Sequence, residues 1–254
     1  MCNFFSAIVL KNGEIVYDVD ISSHEDLIEK AKLKDDTADS AKLMFARIEI
    51  VPKNGGIFTE RKNWYLKIDQ TIVPDWFSEE YEKKCMDLFF TEVYPCCVFI
   101  DKKYLVFRNR KNLFLKNSSV EVHGSSSADL YNSSTVIVHD SSFAFLHDSS
   151  SADFYNSSTA ILYDSSSAEL HDLSLARLYN SSSARLHDSS TARLYDSSLA
   201  RLYDSSSADL SHSSSAVNFS KGTKFYTNDS SVVIDRTTEG IVVYSKENIS
   251  LLKK

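Results

Sequence analysis

Residues 125–220 read SSSADLYN, SSTVIVHD, SSFAFLHD, SSSADFYN, SSTAILYD, SSSAELHD, LSLARLYN, SSSARLHD, SSTARLYD, SSLARLYD, SSSADLSH and SSSAVNFS when the chain is divided into successive octets. These octets follow one another without an insertion, and NSSVEVHG at 117–124 is a diverged copy. Uninterrupted repetition at a short fixed period is typical of solenoids, in which each repeat is covered by its neighbours. The repeat therefore decides the fold of this part of the chain.

The pattern within each octet predicts a short β-strand followed by a turn. The fourth position is Ala except at Val136, and the sixth is usually Leu. Apolar residues two positions apart, with polar residues between them, form one buried face of a strand. A helix would scatter them, because one octet advances it by about 2.2 turns. The remaining Asp/Asn-Ser-Ser predicts the turn, since Asn and Asp tolerate left-handed backbone angles.

A second, longer period favours a three-sided coil of three octets over a flattened coil of two octets. SSSADLYN at 125 recurs as SSSADFYN at 149, and the next two octets recur at the same spacing. In a three-octet coil, like residues would stack about 4.8 Å from one another. One face would then carry Tyr131, Tyr155, Tyr179 and Tyr203 beside Asp129, Asp153, Arg177 and Arg201, and another would carry His123, His147 and His171.

The regions on either side of the repeats have different patterns. Residues 1–112 predict a small α+β domain, with a hairpin at Lys11-Asn12-Gly13, a helix capped by Ser23 and a second helix opened by Pro74-Asp75. Residues 113–220 form the predicted β-solenoid. Residues 221–254 contain KFYTN, SVVID and GIVVYS, which predict a C-terminal β cap that covers the last coil. The fold class is therefore mainly β.

Charge and hydropathy narrow the classes of partner. The net charge is −7, and residues 117–220 hold ten Asp, two Glu and four Arg, which gives −8. An acidic solenoid lacks the basic stripe that general nucleic-acid binding requires. The chain has neither a leader pattern nor the roughly 18 apolar residues of a membrane helix. We therefore expect a soluble protein with a protein partner, and association of the chain with itself stays open.

The first 95 residues of the chain contain stretches that resemble a known type of protein domain. The stretches MCNFFSAIVLKNGEIVYD, SHEDLIE, RIEIVP, WYLKIDQ and VPDWFSEEY resemble an uncharacterised N-terminal domain of bacteriophage and prophage proteins. In those proteins the domain is commonly followed by short-period repeats, including DSS-containing octets. The resemblance implies a phage-type accessory protein in the cytoplasm of a bacterial host. It carries over no catalytic residues.

Few residues point to chemistry. Cys2 would be an N-terminal nucleophile if Met1 were removed, but Met-Cys-Asn differs from the Met-Cys-Gly start of amidotransferases, and a small residue opening a strand is the simpler interpretation. Cys96-Cys97 follows a predicted helix and is interpreted as part of an apolar core strand. The His-Asp pairs recur because the octet recurs, and neighbouring coils would hold their side chains too far apart to share a metal without convergence. No metal or cofactor is predicted.

These observations favour a non-enzymatic binding or scaffold protein whose solenoid recognises a host macromolecule, for example to counter a host defence. The predicted binding residues are Tyr131, Tyr155, Tyr179, Tyr203, Arg177 and Arg201. Tyr and Arg dominate interface hot spots. Two alternatives stay open. One is an enzyme that uses Cys2, with the solenoid for oligomerisation, and the other is an acidic rod that imitates DNA, against which the cluster of arginines speaks.

Overall fold

The computed structural model of the chain describes residues 5–34, 43–53, 56–238, 241–246 and 249–252. The chain divides into two compact units, Met1–Phe99 and Ile100–Lys254. The predicted fold class is confirmed: the chain is mainly β, with a small N-terminal α+β region and a β-solenoid of about nine turns from residue 98 to 235.

The first unit contains a four-stranded antiparallel sheet in the order β2-β1-β3-β4. Its elements are β1 (Phe5–Leu10), β2 (Ile15–Val16), α1 (His24–Lys30), β3 (Phe45–Pro52), β4 (Trp64–Ile68), α2 (Glu79–Leu88) and α3 (Tyr94–Cys97), with a 3-10 turn at Arg61–Asn63 and a π-helical turn at Phe89–Val93. Ile8, Leu27 and Phe45 form a buried core between the sheet and α1.

Short sequence patterns correctly predicted two of these features, the β1–β2 hairpin and the start of α1. The β1–β2 hairpin turns at Gly13, whose φ is +87° and whose N–H donates to the Leu10 carbonyl at 2.8 Å. Ser23 caps α1, since its Oγ accepts a hydrogen bond from the Asp26 N–H at 3.2 Å.

Two other local predictions were wrong. Residues 74–77 form a turn, and α2 begins only at Glu79, after Ser78 in extended conformation. Cys96 and Cys97 lie in α3 and not in a strand, because Pro95 stands in the first turn of a helix, where its missing N–H costs nothing.

The solenoid consists of a nine-stranded sheet of the odd-numbered strands β5–β21 and an eleven-stranded sheet of the even-numbered strands β6–β22 with β23 and β24. In chain order the strands are β5 (Val98–Ile100), β6 (Leu105–Arg108), β7 (Leu113–Lys116), β8 (Ser119–His123), β9 (Ser127–Tyr131), β10 (Thr135–Val138), β11 (Phe143–Leu146), β12 (Ser151–Phe154), β13 (Thr159–Leu162), β14 (Ser167–Leu170), β15 (Leu175–Leu178), β16 (Ser183–Leu186), β17 (Thr191–Leu194), β18 (Leu199–Leu202), β19 (Ser207–Leu210), β20 (Ser215–Asn218), β21 (Lys224–Thr227), β22 (Val232–Asp235), β23 (Ile241–Ser245) and β24 (Ile249–Leu252).

One coil contains two octets and has two sides, so the expected three-sided coil of three octets is wrong. Thr135 of β10 pairs in parallel with Ser151 of β12, and consecutive strands lie in different sheets. The reason is that every octet boundary reverses the chain, so two octets complete a coil. The three-octet period describes only how the copies resemble one another in sequence, and no strand pairing in the described solenoid follows it.

The corners reverse the chain through a left-handed residue and a buried serine. At one corner, Asn132 has a φ of +59°, and Ser134 is fully buried. The Ser134 Oγ donates to the Tyr131 carbonyl at 2.8 Å, and the Asn132 N–H donates to Asp148 Oδ2 of the next coil at 2.8 Å. The Asp/Asn-Ser-Ser sequence thus satisfies backbone groups that the turn would otherwise bury unpaired.

The predicted inward face is confirmed. From Ala128 to Ala216, the side chains at the fourth and sixth octet positions are at most 5% exposed. In the last octet, on the eleven-stranded sheet, the sixth position is Asn218, and its Nδ2 donates to Asp235 Oδ1 at 3.2 Å. The strands predicted after residue 220 are present: β21 and β22 continue the coils, and β23 and β24 form an antiparallel hairpin next to β22.

Deletions that remove whole coils should be tolerated. Deleting 149–164 removes two octets and keeps every later strand in its sheet, whereas deleting 149–172 removes three and moves all later strands, including those next to the terminal hairpin, to the opposite sheet. We expect the first deletion to retain cooperative melting and the second to lose it or to melt at a lower temperature, as followed by circular dichroism. Equal melting of the two proteins would contradict the two-octet coil.

Two serines on adjacent corners provide a matched test of the corner hydrogen bond. The Ser166 Oγ donates to the Tyr163 carbonyl at 2.6 Å, whereas the equally buried Ser158 Oγ has no hydrogen-bond partner among the described residues. We expect Ser166→Ala to lower the free energy of unfolding by about 1 kcal/mol, and Ser158→Ala to change it much less. Urea denaturation measures both, and equal losses would show that the hydroxyl bond does not stabilise the corner.

Candidate interaction surface

The seventh residue of each octet lies at the end of a strand, and these residues, apart from Ser211, form two ladders of stacked rings. The first ring ladder, on the nine-stranded sheet, contains Tyr131, His147, Tyr163, Tyr179 and Tyr195. The second ring ladder, on the eleven-stranded sheet, contains His123, His139, Tyr155, His171, His187, Tyr203 and Phe219. Neighbouring centroids are 4.7 to 5.3 Å apart, and the rings are nearly parallel.

The structure divides the predicted binding residues between the two sheets. Tyr131, Tyr179 and Arg177 belong to the nine-stranded sheet, whereas Tyr155, Tyr203 and Arg201 belong to the eleven-stranded sheet. The expectation of one continuous face is therefore wrong, because it depended on the three-octet coil. The expected histidine row is wrong for the same reason: His147 lies in the first ring ladder, and His123 and His171 lie in the second.

The two-octet register creates a partly exposed surface on the nine-stranded sheet that the sequence analysis did not identify. Its side chains are at the third and fifth octet positions of β11, β13, β15 and β17. We name it the apolar–arginine patch, and it comprises Phe143, Phe145, Ile161, Leu175, Arg177 and Arg193. The two phenylalanine rings meet edge to face at 4.6 Å, and Leu175 is 50% exposed. A shallow depression of about 330 Å³ lies among these side chains.

The four arginines of the repeats lie on two successive coils and form an arginine belt around the solenoid. Arg177 is opposite Arg193 on the nine-stranded sheet, and Arg185 is opposite Arg201 on the eleven-stranded sheet. Arg185 Nη1 contacts Glu169 Oε1 at 2.5 Å, and Arg193 Nε lies 3.9 Å from Asp209 Oδ2. No carboxylate of the described residues lies within ion-pair distance of Arg177 or Arg201.

Most acidic residues of the repeats are at the corners, where they have a structural role. Asp148 Oδ2 accepts the Asn132 N–H, and Asp188 Oδ2 accepts the Asp172 N–H at 3.1 Å, so each bond joins one coil to the next. The carboxylates remain exposed to water. The negative charge of the solenoid is thus mainly a consequence of how its corners are built.

Asp129 differs from the corner residues, because it lies on a strand between apolar neighbours. Its register partners are Phe114 on β7 and Phe145 on β11. Burial at this position raises the pKa of the Asp129 carboxyl to about 7. Its side chain therefore exchanges a proton near neutral pH, at the edge of the apolar–arginine patch.

Among the described cysteines, Cys85 is not an activated thiol. Burial raises the pKa of the Cys85 thiol to about 12, which leaves it protonated and unreactive. Cys97 is buried, as expected for a core residue, whereas Cys96 is exposed. Cys2, the alternative nucleophile, lies outside the described residues.

Comparison of the chain with protein-family models, with curated proteins and with solved structures found no match. Among the described residues, no helix has the length and apolar character needed to cross a membrane.

Replacing Asp129 by Asn should change the pH dependence of stability. Because the folded-state pKa of Asp129 is raised, its contribution to stability is complete below the unfolded pKa of about 3.9 and is lost as the pH rises through about 7. We expect Asp129→Asn to melt near the wild-type temperature at pH 4 and several degrees above it at pH 8. Melting curves at a series of pH values measure this, and a pH-independent difference would contradict the burial of Asp129.

Proposed function

We propose that the protein is a non-enzymatic binding protein whose solenoid recognises a macromolecular partner through the apolar–arginine patch. The observation that carries the proposal is the adjacency of partly exposed apolar side chains to two exposed arginines on one regular sheet. Interfaces are enriched in aromatic residues and arginine relative to the rest of the surface. The first ring ladder borders the patch at Tyr163, Tyr179 and Tyr195 and adds further aromatic area.

The charges of the patch favour a partner with acidic groups. Arg177 lies beside another cation, its register partner Arg193 on the adjacent strand β17. Like charges at paired positions of neighbouring strands are destabilising. A carboxylate from a partner would remove this repulsion and could bind the planar guanidinium in a bidentate manner. We therefore propose a protein partner that presents apolar side chains next to Asp or Glu.

The construction of the solenoid also favours binding. Each coil is hydrogen-bonded to the next through its strands and its corners, so the outward side chains are held on a backbone that is already ordered. A preorganised surface loses little conformational entropy when it binds, which leaves more of the contact energy available as affinity.

The N-terminal region resembles phage and prophage proteins, and we therefore propose that the partner is a protein of a bacterial host. Binding of this partner could serve to counter a host defence. An acidic rod that imitates DNA has less support, because the arginine belt interrupts the negative charge. The enzyme alternative depends on Cys2, and no observation on the described residues favours it.

The chain contains a matched pair of sites for testing the proposal. The pentapeptide Leu-Ala-Arg-Leu-Tyr occurs at 175–179 on the nine-stranded sheet and again at 199–203 on the eleven-stranded sheet. Leu175 and Arg177 belong to the apolar–arginine patch, whereas Leu199 and Arg201 occupy the same octet positions on the opposite face. The same double substitution can therefore be made on either face.

We expect Leu175→Ser with Arg177→Ser to abolish retention of a partner that wild-type protein captures from a bacterial lysate. Leu199→Ser with Arg201→Ser should leave that retention unchanged. Quantitative mass spectrometry of the retained proteins measures both, and melting curves confirm that both variants are folded. If both variants retain the same proteins as wild type, or lose them equally, the apolar–arginine patch is not the binding surface.

A further inference from the structure

Glu121, His123 and His139 bring three potential metal ligands together on the outside of the eleven-stranded sheet. Glu121 and His123 are on β8, and His139 follows β10 one coil later. Glu121 Oε1 lies 2.9 Å from His123 Nε2 and 3.3 Å from His139 Nε2. The two imidazole rings are stacked, with centroids 4.7 Å apart and planes 6° from parallel.

This cluster overcomes the geometric objection to a metal site in the repeats. Histidines on neighbouring coils are separated by the strand spacing, but the Glu121 carboxylate reaches both, and all three ligand atoms lie within 4.8 Å of one another. Tetrahedral ligands of an ion with bonds of about 2.1 Å are about 3.4 Å apart, so the two imidazole rings, whose planes are 6° from parallel, would have to tilt towards each other for both nitrogens to point at one ion. The side chains are 21% to 40% exposed, which leaves them accessible to an ion from solution.

A second copy of the arrangement shows why the first is different. Glu169, His171 and His187 occupy the same octet positions three coils further along the second ring ladder, and the two histidine rings stack at 5.1 Å. There, however, Arg185 contacts Glu169 at 2.5 Å and takes up the carboxylate. The residue at the position of Arg185 in the first copy is Ile137, which is opposite Glu121 and forms no ion pair with it.

We propose that Glu121, His123 and His139 bind one divalent transition-metal ion of the zinc class. Two imidazole nitrogens and one carboxylate oxygen are the ligand types that Zn²⁺ prefers, and three protein ligands leave one position for water. The ion would join two neighbouring coils, since its ligands come from β8 and from the corner after β10. Its binding would therefore stabilise the early part of the solenoid.

Titration calorimetry with Zn²⁺ alone tests the site in the full chain, without an affinity tag and after dialysis against a chelator. We expect one ion per chain. Glu121→Gln and His139→Gln should each lower the affinity by about tenfold or more, since the loss of even a residue that only supports a ligand costs about 10- to 100-fold. His187→Gln is the matched control in the same ring ladder, and it should leave stoichiometry and affinity unchanged.

Arg185→Ile supplies an independent test, because it gives the second copy the same neighbour as the first. We expect this variant to bind two ions per chain. The absence of Zn²⁺ binding by the wild-type protein would overturn the proposal, and so would binding that survives Glu121→Gln and His139→Gln. A stoichiometry of one for Arg185→Ile would overturn the role assigned to the Arg185–Glu169 ion pair.

Discussion

The fold depends on the Asp/Asn-Ser-Ser corner, whose side chains form hydrogen bonds with backbone groups of the turn. A left-handed residue reverses the chain, and the buried serine two positions later occupies the inside of the turn and bonds the carbonyl that precedes it. The left-handed residue and the buried serine recur at the octet boundaries from Asn132 to His212, and this repeated reversal gives each coil two sides. It also determines which octet positions face the core, which face water and which stack at the strand ends.

Since the corners and the inward Ala and Leu residues hold the fold, the outward positions are free to vary. In the third and fifth positions, the octets carry Phe at 143 and 145, Leu and Arg at 175 and 177, and Ser and Asp at 151 and 153. These changes alter the chemistry of the surface while the strand register stays constant. The regular frame and the irregular surface thus have separate roles, and the recognition proposed above would depend on the surface.

Features with a local cause could be predicted from the sequence. The short strands, the inward Ala and Leu, the turn at Gly13 and the Ser23 cap each follow from a few adjacent residues. The coil length could not, because it depends on how far a corner turns the chain, which sequence similarity between octets does not encode. That single error placed Tyr179 and Tyr203 on one face, whereas they lie on different sheets, and it concealed the proximity of Glu121 to two histidines.

The ring ladders also make the two units distinguishable by spectroscopy. Both tryptophans, Trp64 and Trp76, belong to the first unit, so indole fluorescence reports on that unit alone. Tyr163, Tyr179 and Tyr195 stand nearly parallel at spacings of 5.3 and 4.9 Å in the solenoid. Fixed, closely spaced phenol rings couple their electronic transitions, and near-ultraviolet circular dichroism detects such packing. Unfolding followed by indole fluorescence, which reports on the first unit, can therefore be compared with the near-ultraviolet circular dichroism of the whole chain to test whether the two units unfold together.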